Sequence, residues 1–189
     1  MLLTKSKFRE NCLEKLRNSQ RHNKLYKDYQ LNKKLLRLLE SKKTKSILFY
    51  YPLPNEADIR KSLQKMRKKH KVFLPFMQGK SFKMVPFRLP LEKKKFGIFE
   101  AGNTLRNIRK IDTVIVPIVG VDGKMQRVGF GKGMYDRFFE KLQKRPYTIF
   151  IQSELCYTKE NVCDDYDIIG DVVITPTKEI KKRTIYKKR

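Results

Sequence analysis

The sequence predicts an α/β fold: a single domain with a largely parallel central sheet, helices on both faces and a helical N-terminal segment. Short apolar runs without polar alternation are typical of strands that are buried on both faces, and the chain contains several of them. Segments with apolar residues at helical spacing separate these runs. The chain has 189 residues, 40% of them hydrophobic, which is enough for the core of one domain. We therefore expect one domain over residues 1–178 and a basic, disordered tail over residues 179–189.

The first half of the chain predicts helices, a strand and another helix, in that order. Residues 4–40 predict two amphipathic helices that are separated near Asn18 and Ser19. Residues 46–51 predict a buried strand, because this apolar run ends at a proline-rich turn. Asn55 is a suitable N-cap for a further helix that would run to about Lys69.

The remaining elements are mostly apolar runs of strand length. Pro86 predicts an edge position for the strand that contains it, because proline cannot donate a hydrogen bond to a neighbouring strand. A glycine-rich loop over residues 120–133 leads into a helix over residues 134–142. The predicted strands span residues 72–76, 82–87, 113–119, 147–151 and 171–175.

The charge of the chain is large and unevenly distributed. The formal net charge is +26, which makes anionic partners the first to consider. Residues 111–177 nevertheless hold eight basic and ten acidic side chains. A general nucleic-acid-binding protein has no need of such an acidic block, whereas an enzyme that holds a hard metal ion does, because these ions prefer carboxylate oxygens.

Cysteine use and hydropathy favour a cytoplasmic protein. Cys12, Cys156 and Cys163 are widely spaced and form no CxxC pair, so we expect reduced thiols and no disulfide framework. No apolar run approaches the roughly 20 residues of a membrane span. We also expect no signal peptide and no membrane partner.

Three alternating glycines give the strongest chemical signal. Gly129, Gly131 and Gly133 precede a predicted helix, and glycine lets backbone N–H groups approach an anion closely. Arg127 and Lys132 add positive charges that suit phosphate. Asp136, in the first turn of the helix, is a candidate ligand for Mg²⁺. By spacing alone, phosphate binding and a plain glycine turn remain about equally good explanations.

The surrounding residues resemble the 5-formyltetrahydrofolate cyclo-ligase family. The family pattern is a buried strand ending in Val-Pro, a turn, and then Arg-Leu-Gly-x-Gly-x-Gly-Tyr-Tyr-Asp-Arg. This chain has Arg127-Val-Gly-Phe-Gly-Lys-Gly-Met-Tyr-Asp-Arg137, which departs from the pattern at Val128 and Met134. Lys5 and Arg9 match an N-terminal Lys-x-x-x-Arg, and Glu56 matches a glutamate that follows a proline-rich turn. Glu100 and Asp167 lie in further matching segments, so the resemblance covers about 170 residues.

The resemblance implies an ATP-dependent cyclisation of 5-formyltetrahydrofolate, with or without added glutamates, to 5,10-methenyltetrahydrofolate, ADP and phosphate. It implies Arg127 and Lys132 as catalytic residues and Mg²⁺ as the cofactor. The implied metal ligands are Asp136 and Asp167, although Asp164 and Asp165 lie close to the latter in sequence. The implied ATP-binding residues are Lys5, Arg9, Arg127, Gly129, Gly131, Lys132, Gly133 and Asp136. The implied folate-binding residues are Tyr51, Glu56, Phe130, Met134 and Tyr135. A monomer is expected.

Two other functions remain open at this point. A basic RNA- or ribosome-associated protein would explain the net charge and the aromatic residues among lysines, such as Tyr26 and Tyr29. The acidic block and the lack of RNP, KH or zinc-finger patterns argue against it. The third possibility is another α/β enzyme that uses ATP.

Overall fold

The architecture is a mostly parallel sheet with helices packed on both faces. The computed structural model describes residues 3–94, 97–108 and 110–182. Its helices are α1 (Lys5–Gln20), α2 (Lys24–Ser41), α3 (Arg60–Met66) and α4 (Met134–Phe139). Its strands are β1 (Ser46–Leu48), β2 (Lys71–Gln78), β3 (Ser81–Pro86), β4 (Glu92–Lys93), β5 (Phe99–Glu100), β6 (Thr113–Pro117), β7 (Gly120–Val121), β8 (Arg127–Val128), β9 (Tyr147–Ile151), β10 (Val172–Ile174) and β11 (Glu179–Lys181).

Seven strands form the main sheet in the order β11-β10-β9-β6-β1-β2-β3. The five inner strands pair in parallel, and the edge strands β3 and β11 pair antiparallel to their neighbours. The predicted α/β fold and the edge position of the strand with Pro86 are therefore confirmed. Two small antiparallel pairs, β4-β5 and β7-β8, lie outside this sheet.

Apolar side chains cover the two faces of the sheet in separate clusters. On one face, Leu35 of α2 and Leu63 of α3 pack against strand residues such as Ile115. On the other face, Phe138 of α4 packs against strand residues that include Val116. Alternate residues of one strand thus enter opposite clusters, as expected for strands that are buried on both sides.

Helix α1 covers the β7-β8 hairpin. Phe8, Cys12 and Leu16 lie in a third apolar cluster with residues of that hairpin and its flanks. A Cβ atom at Gly120 would lie 2.8 Å from the Phe8 ring, so the close approach of α1 requires a glycine here. The N-terminus of α1 is capped by the Thr4 hydroxyl, which accepts a hydrogen bond of 3.2 Å from the Lys7 amide.

Four expectations need correction. The two N-terminal helices are separated at residues 21–23, a few residues later than predicted. Helix α3 begins at Arg60, so Asn55 and Glu56 lie in the preceding loop. Residues 179–181 form β11, although a disordered tail was expected here. The outer edge of β10 is available for pairing, and the backbone of Ile180 pairs with it at Val173. Residues 183–189 of that predicted tail lie outside the described residues.

The fourth correction concerns the cysteines. Cys12 on α1 and Cys156 in the loop after β9 form a disulfide, although reduced thiols were expected. The two residues are 144 positions apart in the chain, and only the packing of α1 on the hairpin brings them together. Cys163 has a free thiol.

None of the helices in the described part of the chain combines the length and the apolar character that a membrane span requires.

Candidate active site

The loops that carry the predicted site residues follow the carboxyl ends of parallel strands. The segment with Glu56 follows β1, the hairpin with Arg127 follows β6, and the segment with Asp167 follows β9. The carboxyl ends of parallel strands meet at one edge of the sheet, where α/β proteins bind their ligands. Helix α1 packs against the β7-β8 hairpin at this edge.

The loop with Glu56 is fixed by hydrogen bonds of both its backbone and its carboxylate. The Leu53 amide donates to Glu56 Oε2 at 2.9 Å, and the Glu56 amide donates to the Leu53 carbonyl at 2.9 Å. The Lys24 ammonium reaches the Glu56 carbonyl at 3.3 Å, and Asn32 of α2 donates to the Asp58 carbonyl at 2.6 Å. These bonds hold Glu56 in a turn, which explains why α3 begins only after it.

The surroundings of Glu56 raise the pKa of its carboxyl group. The residue as a whole is partly exposed, but other groups enclose its carboxylate, and this burial raises its pKa to about 7. The Leu53 amide and the positive charge of Arg127 act in the opposite direction and only partly offset the effect.

We expect Glu56→Gln to make unfolding less dependent on pH. A folded-state pKa near 7, above the ordinary 4.5, means that the folded protein binds the proton more tightly than the unfolded chain does. The contribution of Glu56 to the free energy of unfolding is thus fully present below pH 4.5 and is lost as the pH rises through 7. Because glutamine carries no charge, we expect the variant to gain roughly 1 to 3 kcal/mol over the wild type at pH 8 and little at pH 4.

Urea unfolding at pH 4, 5.5 and 8 measures this difference. Glu40→Gln is a matched control, because Lys65 lowers the pKa of the Glu40 carboxyl, and we expect no gain at pH 8 from that variant. A difference between Glu56→Gln and the wild type that is the same at all three pH values would contradict the assignment.

Arg127 is a buried cation with acidic and aromatic neighbours. It begins β8, its side chain is almost inaccessible, and its Nη1 lies 3.4 Å from Asp136 Oδ2. The guanidinium carbon lies 5.1 Å from the centre of the Tyr135 ring. Burial lowers the pKa of Arg127, against the opposing charges of Asp136, Asp167 and Glu56. A Cβ atom at Gly129 would lie 2.5 Å from the guanidinium carbon, so a side chain at this position would displace the guanidinium.

Arg137, to which the sequence analysis gave no role, holds the glycine-rich loop in place. Arg137 Nε donates to the Lys80 carbonyl at 2.8 Å, and Arg137 Nη2 also contacts the Lys132 carbonyl. Gly131 and Gly133 have φ angles of 96° and 58°, which glycine adopts without strain. Helix α4 has only six residues, so its dipole adds less to anion binding at this loop than a longer helix would.

The two predicted residues of α1 both reach this region. Arg9 Nε donates to the Gly129 carbonyl at 2.9 Å. Lys5 Nζ lies 2.8 Å from Asp164 Oδ2 and forms a second ion pair with Asp167. Burial tends to lower the pKa of Lys5, but hydrogen bonds to Asp164 and Asp167 outweigh it and raise the pKa. Helix α1 is therefore attached to both the glycine loop and the acidic segment.

The two predicted metal ligands have different partners. Asp167 is buried and accepts a hydrogen bond of 2.8 Å from the Asp164 amide in addition to its ion pair with Lys5. Asp136 Oδ1 is buried and has no hydrogen-bond partner among the described residues. In the same part of the chain, no group of three or more His, Cys, Asp or Glu side chains could hold a metal ion by itself.

An open pocket of about 350 Å³ lies between α1 and the glycine loop. Phe130, a predicted folate contact, lines it together with Asn55 and with Leu13, Leu16 and Arg17 of α1. Leu16, Asn55 and Phe130 also line a narrow crevice that continues to Glu56, Gln152 and Ser153. We refer to the pocket and the adjoining crevice together as the groove, although the crevice itself has a volume of only about 10 Å³.

The other three predicted folate contacts do not line this groove. The Met134 carbonyl accepts a hydrogen bond of 3.2 Å from Ser81 Oγ. The ring centres of Tyr135 and Phe82 are 5.0 Å apart, and those of Tyr51 and Phe99 are 5.3 Å apart. Tyr135 nevertheless faces Arg127 with its ring, so it adjoins the charged part of the site.

Sequence analysis missed several residues of the groove. Gln152 and Ser153 directly follow β9, and the rule that ligands bind at the carboxyl ends of strands would have identified them. No comparable signal marked Leu13, Leu16 and Arg17, because the N-terminal segment contains many similar residues.

Comparison with known proteins gives the family. The sequence model of the 5-formyltetrahydrofolate cyclo-ligase family matches residues 3–176. The chain belongs to this family. It is thus a member of a group of ATP-dependent enzymes, the 5-formyltetrahydrofolate cyclo-ligases.

Individual cyclo-ligases agree with this assignment over most of their length. The chain is 25% identical over 173 residues to the 5-formyltetrahydrofolate cyclo-ligase of Mycoplasma pneumoniae, covering 91% of this chain and 98% of that protein. It is 26% identical over 136 residues to the Haemophilus influenzae enzyme, covering 67% and 73% of the two chains. The NMR structure of Aquifex aeolicus 5,10-methenyltetrahydrofolate synthetase superposes with a TM-score of 0.79 at 26% identity, covering 96% of this chain and 94% of that one.

Proposed function

We propose that this cyclo-ligase converts 5-formyltetrahydrofolate and ATP to 5,10-methenyltetrahydrofolate, ADP and phosphate at the carboxyl edge of its sheet. The observation that carries the proposal is the position of Arg127. Its buried guanidinium lies beside Asp136 and the glycine loop, and the negative charges of Glu56 and Asp167 also stabilise it. A buried cation beside a loop that suits phosphate favours phosphoryl transfer between two bound substrates.

The chemical difficulty is the formyl group, whose carbon is a poor electrophile. Transfer of the γ-phosphoryl group of ATP to the formyl oxygen converts that oxygen into part of a leaving group. The nitrogen at position 10 then attacks the formyl carbon, loses its proton and expels phosphate as the ring closes. In such a reaction the protein mainly positions the substrates and neutralises charge.

The phosphates of ATP would lie against the glycine loop. The amides around Gly129, Gly131 and Gly133 suit phosphate oxygens, and Lys132 and Arg127 supply full positive charges. Lys5 and Arg9 would close over the nucleotide from α1. Lys5 is already paired with Asp164 and Asp167, so it would exchange carboxylate partners for phosphate when ATP binds.

The donor set near the glycine loop fits Mg²⁺. Asp136 Oδ1 is a buried carboxylate oxygen without a partner among the described residues, and such an oxygen is what a hard cation prefers. Asp136 would be the first ligand and Asp167 the second, after release of Lys5. When bound, the ion would neutralise phosphate charge during transfer.

The folate would bind in the pocket of about 350 Å³, next to the crevice that Glu56 lines. A carboxylate can accept two hydrogen bonds from the amino-pyrimidine edge of a pterin, and Glu56 lines the crevice next to this pocket. Phe130 offers an exposed ring that lines both the pocket and the crevice. We propose Tyr51, Met134 and Tyr135 as further folate contacts outside the groove, with Tyr135 next to Arg127.

A direct absorbance assay tests this function. Purified protein, 5-formyltetrahydrofolate and Mg²⁺ are mixed, ATP is added, and the near-ultraviolet band of the methenyl product is followed. We expect a rise that requires both ATP and Mg²⁺. A folded protein that binds ATP but gives no rise would instead be another ATP-using enzyme. If it bound neither substrate but bound RNA with a steep salt dependence, the RNA-binding alternative would be correct.

A further inference from the structure

The exposed face of α2 carries a line of two tyrosines and two cations that the proposed reaction does not use. Tyr26, Tyr29, Lys33 and Arg37 follow one another at intervals of three or four residues, so they lie along one side of the helix. All four side chains are exposed, and the two rings keep 65% and 53% of their surface accessible. The line is about 16 Å long, from the rise of an α-helix. We call these four residues the α2 stripe.

Neither cation of the α2 stripe has an acidic partner. None of the ion pairs formed by the described residues includes Lys33 or Arg37. Both residues line an open cleft of about 530 Å³ beside the stripe. The two carboxylates that line the same cleft, Glu40 and Glu179, already pair with lysines at 2.9 and 3.3 Å. An anion that bound here would therefore meet two cations that no carboxylate neutralises.

The chemistry of the α2 stripe fits a single-stranded nucleic acid. Bases stack on exposed aromatic rings and phosphates pair with neighbouring cations, and neither contact requires a particular base sequence. The formal net charge of +26 favours the approach of such a polyanion. A membrane surface fits less well, because the apolar face of α2, with Leu31 and Leu35, is already buried against the sheet. Within α2, all of which the structure describes, Leu25 is the only fully exposed aliphatic side chain.

We propose that the α2 stripe binds single-stranded nucleic acid as a second function of this chain. Tyr26 and Tyr29 stack on two bases, and Lys33 and Arg37 bind phosphates farther along the strand. None of the four residues lines the groove at the candidate active site, so a nucleic acid on the stripe leaves that groove open. The binding does not depend on the proposed reaction.

Fluorescence anisotropy of a labelled uridine oligomer of about 12 nucleotides tests the proposal. We expect Tyr26→Ala combined with Tyr29→Ala to raise the dissociation constant at least about 10-fold, because two stacking contacts are lost. Lys33→Gln combined with Arg37→Gln should make the dependence of log K on log salt concentration shallower by about 1.4, since each phosphate contact to a single strand contributes about 0.7.

A matched charge control uses two lysines on the other side of the sheet. Lys141 and Lys144 are exposed and follow α4, which packs on the opposite face from α2. Lys141→Gln combined with Lys144→Gln should leave both the dissociation constant and the salt dependence unchanged. An effect equal to that of the Lys33 and Arg37 variant would mean diffuse attraction to a cationic chain and would overturn the proposal. Circular dichroism shows whether each variant stays folded.

Three further measurements separate the nucleic acid from other occupants and sites. An aspartate oligomer of equal charge should bind more weakly than the uridine oligomer, and equal binding would indicate a surface for acidic polypeptides instead. Binding to phosphatidylserine vesicles without binding to the uridine oligomer would indicate a membrane surface instead. ATP added at constant Mg²⁺ should not displace the uridine oligomer, and displacement would place the oligomer in the nucleotide site. No effect of the tyrosine substitutions would also contradict the proposal.

Discussion

Replacing Arg127 by methionine should lower turnover at least about 10³-fold and the free energy of unfolding by about 3 to 5 kcal/mol. The first effect follows from the proposed role of the guanidinium in neutralising phosphate charge. The second follows because its removal leaves Asp136 as a largely buried carboxylate without its ion-pair partner. The methenyl absorbance assay measures the turnover, and urea unfolding at pH 7 measures the stability.

A double variant separates the two effects. Arg127→Met combined with Asp136→Leu removes both charges and places apolar side chains in their positions, so we expect most of the lost stability to return. Turnover should not return, because neither phosphate nor Mg²⁺ would find its ligand. If the single variant kept turnover within tenfold of the wild type, Arg127 would have no part in the reaction.

Lys132→Ala should lower kcat about 10²- to 10³-fold while leaving the free energy of unfolding within about 0.5 kcal/mol of the wild type. Lys132 is exposed in the glycine loop, so its side chain contributes little to the core. Its proposed role is to bind a phosphate oxygen whose charge changes during transfer. Lys124→Ala removes an exposed lysine from the turn between β7 and β8 and serves as the matched control.

The kinetic pattern of Lys132→Ala is informative in itself. A loss confined to kcat indicates a contact made mainly in the transition state, whereas a rise in the KM for ATP with an unchanged kcat indicates ground-state binding. The second pattern would remove Lys132 from catalysis and leave it as a binding residue. Equal activity of the Lys132 and Lys124 variants would exclude both roles.

The sheet could be predicted because its strands are continuous apolar runs with few competing interpretations. The run at residues 147–151 coincides with β9, and Pro86 correctly indicated an edge strand. The start of α3 could not be predicted in the same way. Asn55 and Glu56 carry the signals of a helix N-terminus, but Glu56 uses its carboxylate and its amide to bind Leu53, and this local turn delays the helix to Arg60.

Only part of the site could be predicted from the sequence. The run from Arg127 to Arg137 could be recognised because its glycines and charges lie within eleven consecutive positions. The contacts of Lys5 with Asp164 and Asp167 join residues about 160 positions apart, and only the tertiary fold brings them together. The same holds for the disulfide between Cys12 and Cys156. Arg17 escaped notice because nothing distinguishes it from the other basic residues near the N-terminus.

Helix α1 takes part in both halves of the site. Near its N-terminus, Lys5 and Arg9 hold the acidic segment and the glycine loop, and one to two turns later Leu13, Leu16 and Arg17 line the groove. If the substrates bind as proposed, the nucleotide and the folate contact the same helix. Each ligand that stabilises α1 in its packed position then raises the affinity of the site for the other ligand. Thermodynamic linkage requires this heterotropic coupling to be reciprocal, so ATP must raise folate affinity by the factor by which folate raises ATP affinity.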